Sequence, residues 1–95
     1  MVANMSALTH KRIVQVLGEE TAASAINLAA TMKRKGATEE EIAAEVKRYL
    51  VEEAGIKVTT ANASSKIIAS NAEKLHTTSI LGGISARLME VAATA

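Results

Sequence analysis

The chain has no cysteine, proline, tryptophan or phenylalanine, and Tyr49 is its only aromatic residue. Without cysteine there is no disulfide, no thiolate nucleophile and no zinc site built on sulfur. Without proline, and with glycine only at positions 18, 36, 55, 82 and 83, the chain lacks the main helix breakers and most tight-turn chemistry. Aromatic side chains commonly wall a ligand pocket, so their scarcity counts against a small-molecule site. No apolar run approaches the ~20 residues that a membrane-crossing helix needs. Lys11 and Arg12 stand before the short apolar run "IVQVL" with no cleavage-like stretch after it, so no signal peptide is expected. The expectation is a soluble chain, cytoplasmic by default.

What the chain has is small apolar side chains. Alanine accounts for 19 of its 95 residues, against 22 for leucine, isoleucine and valine together. Alanine is the best helix former but buries little area. A chain of this length suits one domain and buries roughly two thirds of the surface it exposes when unfolded. The expected core is therefore slight, and a partner surface would complete it. The net charge of +1 gives no basic surplus for non-specific phosphate binding, but it is unevenly spread. Residues 1–35 carry five basic and two acidic groups, residues 36–55 two and six, and residues 56–95 four and two. Such blocks permit complementarity between copies.

Periodicity predicts an all-α fold: one small bundle of four to five helices over residues 1–95, with room for one short extended segment at "IKVTT". Asn4 or Ser6 is a candidate cap for a first helix ended by Gly18, although "RIVQVL", residues 12–17, also fits a buried strand. From Glu19, "EETAASAINLAATMKRKG" has acids in its first turn, cations in its last and a glycine just beyond. "TEEE" reads as a capping box of Thr38 and Glu41, and Ile42, Val46, Tyr49 and Leu50 share one face of the helix that follows. In "ANASSKIIASNAEKLHTT", Ile68, Ala72 and Leu75 fall on one stripe. In the last segment Leu81, Ile84, Leu88, Val91 and Ala95 recur at coiled-coil spacing.

Few residues carry chemistry. "KRKG" and "TEEE" meet at Gly36, where cations complement the end of one helix dipole and anions the start of the next. Glu73 and His76 have the Glu-x-x-His spacing of di-iron bundles, but that site needs the element twice, and His10 has no such neighbour. No metal, cofactor or catalytic group is expected. "HTTSILGG" resembles the phospho-acceptor segment of sensor histidine kinases. In that family the histidine stands further upstream, with an acid, a base and a proline intervening, whereas His76 is three residues before Ser79. "NMS" at Asn4 and "NAS" at Asn62 match the glycan-acceptor pattern, which chance explains in so serine-rich a chain.

"EEAGIKVTT" resembles the turn of the Lac-repressor type of regulators, which implies a helix-turn-helix over residues 42–70 with Thr59, Thr60, Asn62, Ser64, Ser65 and Lys66 offered to DNA. The chain departs from that pattern at Val51, where a small alanine is wanted, and at Ala61 or Ser64, where a branched apolar anchor is wanted. Lys57 and Lys66 are the only basic residues between positions 54 and 71, and phosphate contacts dominate affinity. The leading expectation is a non-enzymatic structural or interaction protein that self-associates through Leu81, Ile84, Leu88 and Val91. It would form a homo-oligomer or a subunit of a filament or shell. A second protein is a further partner, and DNA binding is the alternative.

Overall fold

The structure is a computed structural model that describes residues 2–78. It contains four helices, α1 (Val2–Leu17), α2 (Glu19–Arg34), α3 (Glu39–Glu52) and α4 (Val58–Ser70), and helical backbone resumes over residues 72–78. No strand occurs among the described residues, and the expected all-α bundle is what forms.

The first helix starts earlier than expected. α1 begins at Val2, upstream of both candidate caps, because nothing in "VANMSAL" breaks a helix. Residues 12–17 are helix and not strand: Ile13 and Leu17, one turn apart, are buried, while Val16 stands 55% exposed. A single residue then separates α1 from α2. Gly18 adopts φ 88°, ψ 156°, a region essentially reserved for glycine, and so turns the chain in one step.

α2 is the hub on which α1, α3 and α4 all pack. Its buried face is Ala22, Ala25, Ile26, Ala29 and Ala30, and four alanines among five residues let three other helices approach closely. Its carboxyl end closes as a Schellman motif: Gly36 N–H donates to Lys33 C=O at 3.0 Å and Ala37 N–H to Met32 C=O at 3.1 Å. Gly36 supplies the positive φ, 90°, that this closure requires.

The capping box opens α3. Glu41 N–H donates to Thr38 Oγ1 at 3.2 Å, and Thr38 N–H donates to Glu41 Oε1 at 3.0 Å. Ile42, Val46 and Leu50 are buried and Tyr49 packs partly against them. The α3–α4 interface is the most extensive in the fold. It is built on small side chains: Ala61, Ser64, Ser65 and Ala69 surround Ile68 on the buried face of α4.

The stretch with room for an extended segment divides between a connection and a helix. Residues 53–57 form the connection, Ile56 N–H donates to Leu50 C=O at 2.8 Å, and α4 starts at Val58. The stripe of Ile68, Ala72 and Leu75 is buried as expected, but the helix carrying it is interrupted at Asn71. There the side-chain amide donates to Ile67 C=O at 3.0 Å and to Ser70 Oγ at 2.9 Å. A side chain competing for helix carbonyls is a recognised way to bend or end a helix.

Candidate interaction surface

α1 packs on α2 and turns its other side outward. Leu8, Lys11, Arg12, Gln15 and Val16 are all exposed, and their spacing of three, one, three and one places them on one face. Leu8 is 61% exposed, so two large apolar residues bracket two cations. Sequence reading missed this stripe. The helix favoured over residues 12–17 is what forms, but the consecutive apolar residues of "IVQVL" do not say which of them face outward.

The outer face of α3 has the same spacing in Ala44, Lys47, Arg48, Val51 and Glu52. Together with Val58, these residues line a shallow depression of about 260 Å³. Arg48 is held beside it in a fork: Nη2 lies 2.6 Å from Glu45 Oε1, and Nη1 lies 3.0 Å from Glu52 Oε2. Those hydrogen bonds and charges, from Glu45 first and then Glu52, raise the arginine pKa further above its ordinary range. The pairs are exposed and screened by solvent, so they add little to stability. Val51, a departure from the helix-turn-helix pattern in sequence, lies in this depression.

The stretch that resembles a helix-turn-helix forms α4 and the connection before it. Thr59 and Lys66 are exposed, and Thr60 and Asn62 are half-buried. Ser65 is only 1% exposed and donates its hydroxyl to Asn62 C=O at 2.9 Å, so it faces α4's own packing and not a ligand. Ser64 is also buried. The outward residues of α4 therefore offer one lysine, Lys66, beside Ala63 and the 43% exposed Ile67.

Glu73 and His76 do share a face, and what they meet is Arg34 at the end of α2. Arg34 Nη2 lies 3.2 Å from His76 Nδ1, and Nε lies 3.9 Å from Glu73 Oε1. Among the described residues no three histidines or carboxylates gather as a metal would require, and no described helix is long and apolar enough to cross a membrane. Both sequons sit inside helices, Asn4 in α1 and Asn62 in α4, unlike the surface loops that acceptor sites favour. Leu81, Ile84, Leu88 and Val91 lie outside the described residues.

No protein-family model, curated protein or solved structure matches this chain.

Proposed function

We propose that this chain is a small helical interaction protein, without enzymatic activity, that assembles with copies of itself. The observation that carries this reading is the outer face of α1, where Leu8 and Val16 stand more than half exposed on a helix that packs mainly on α2. Apolar residues clustered with cations on one face are better placed for a partner than for water. The alanine-rich core supports the same reading. α2 contributes one large buried side chain, Ile26, to the fold's centre, so further burial is available only from outside. The expected contact through Leu81, Ile84, Leu88 and Val91 would add a second apolar stripe.

Light scattering on the purified protein tests the proposal, with absorbance followed at 260 and 280 nm. A mass at a multiple of 9.9 kDa without excess absorbance at 260 nm is the expected result. A mass of 9.9 kDa at every concentration overturns it. Nucleic acid carried at low salt and shed at high salt would favour the DNA reading. In that case Asn62→Ala with Lys66→Ala should abolish binding.

A further inference from the structure

We propose that two copies of the chain exchange α1: the bend at Gly18 straightens, and each α1 leaves its own α2 to seat on the α2 of the other copy. The exchange rests on the self-association reading. It needs no new pair of complementary surfaces, because α1 and α2 already fit one another within a single chain. Ile13 and Leu17 are buried in the core, and Val14 packs against it. The same side chains would fill the same places in the partner copy.

One residue separates the bent form from a straight helix over residues 2–34. Gly18 N–H donates to Val14 C=O at 2.8 Å, and Ala22 N–H donates to Gly18 C=O at 2.9 Å. Both are the bonds from residue i to i−4 that an unbroken α-helix makes. Straightening keeps them and allows three more, from the N–H groups of Glu19, Glu20 and Thr21 to the carbonyls of Gln15, Val16 and Leu17. No side-chain cap competes for those N–H groups, since the N-cap of α2 is Gly18 itself. A Cβ at position 18 would meet nothing within 4 Å, so close packing does not pin the bend. What opposes straightening in a lone chain is the exposure of Ile13, Val14 and Leu17, and a second copy relieves that exposure by accepting them. The other two links are closed differently. A Schellman motif and the Thr38–Glu41 capping box take up helix-end groups between α2 and α3, and the bond from Ile56 N–H to Leu50 C=O closes the end of α3.

Two substitutions at the hinge should act in opposite directions. Gly18→Ala puts a side chain where φ is 88° and replaces glycine by the best helix former, so it disfavours the bend and favours the straight helix. The dissociation midpoint of the dimer should fall about a hundredfold, roughly tenfold for each of its two hinges. Glu19→Pro does the reverse. Proline suits the first position of α2 after Gly18 at ψ 156°, but in a continuous helix its ring would clash with Gln15 C=O and its missing N–H would forfeit a bond. This variant should stay at 9.9 kDa at concentrations where the parent reaches twice that mass, whereas Glu19→Ala, which loses the same charge, should dimerise as the parent does. Circular dichroism checks that each keeps its helicity. Spin labels on Lys11→Cys with Asn27→Cys, both at exposed positions, follow the exchange directly. In dimers formed with excess unlabelled chain, the separation within one chain should lengthen from its monomer value toward about 24 Å, the backbone span of sixteen residues in a straight helix. If Gly18→Ala fails to fold, Glu19→Pro and this distance decide. If the parent assembles but the distance keeps its monomer value, or Glu19→Pro assembles as the parent does, the exchange is wrong while self-association stands. A parent at 9.9 kDa throughout removes both.

Discussion

Arg34 and His76 lie 42 residues apart in sequence, yet the guanidinium Nη2 of one sits 3.2 Å from the ring Nδ1 of the other. Arginine can only donate, so Nδ1 must accept and the ring proton belongs on Nε2. The contact, with Glu73 at 3.9 Å, ties residues 72–78 to the end of α2. Nitrogen NMR of His76 should report an unprotonated Nδ1 in the parent, and Arg34→Met should shift that signal toward a tautomer mixture. The pair is exposed, so removing Arg34 should cost less than about 1 kcal/mol in urea unfolding.

Adjacent isoleucines on α4 face opposite ways. Ile68 is completely buried against α3 and Ile67 is 43% exposed. Ile68→Ala should lower stability by about 2–5 kcal/mol, enough to abolish cooperative unfolding in a small domain, whereas Ile67→Ala should cost less than about 1 kcal/mol. Equal effects at the two positions would mean that α4 is rotated from the orientation described.

The capping box makes α3 sensitive to acid. Thr38 N–H, and then the Thr38 side chain, hold the Glu41 carboxyl below the ordinary glutamate range. A carboxyl depressed in the folded state stabilises the fold above its unfolded value, near 4.3, and this contribution is lost as pH falls through the lower folded value. Glu41→Gln should therefore flatten the acid limb of a stability–pH curve by lowering its neutral plateau toward the parent's acid value. Thr38→Ala should cost about 1 kcal/mol at neutral pH. An acid limb in Glu41→Gln as steep as the parent's would place its origin elsewhere.

The C-terminal stripe makes its own prediction. Leu88→Glu should dissociate the assembly while helicity by circular dichroism persists. Outright unfolding would assign Leu88 to the chain's own core.

The local rules were legible from the sequence. Acids at Glu19 and Glu20, cations at Lys33 and Arg34, the Thr38–Glu41 box and the glycines at 18, 36 and 55 mark where helices start and stop. These signals act within one or two turns, so a single chain displays them. What the sequence left open lies where tertiary context decides. Whether "IVQVL" was buried on every side depended on how much of α1 the bundle covers, and α2 covers one side only. Ser65 reads as a DNA contact until α4's buried face is known, because a hydroxyl serves equally as a helix back-bond. The Glu73–His76 pair resembled half a metal site, and only the fold brings Arg34 to it.

The single-residue link at Gly18 makes α1 an appendage of a core that α2, α3 and α4 largely complete without it. Among its described side chains only Ile13 and Leu17 are buried, so its own opening sacrifices little of the remaining structure. An element so lightly anchored exchanges its amide hydrogens early, and a neighbour seated on it would slow that exchange. On the proposed self-association, concentration should stabilise α1 in particular, so that assembly and the persistence of the first helix rise and fall together.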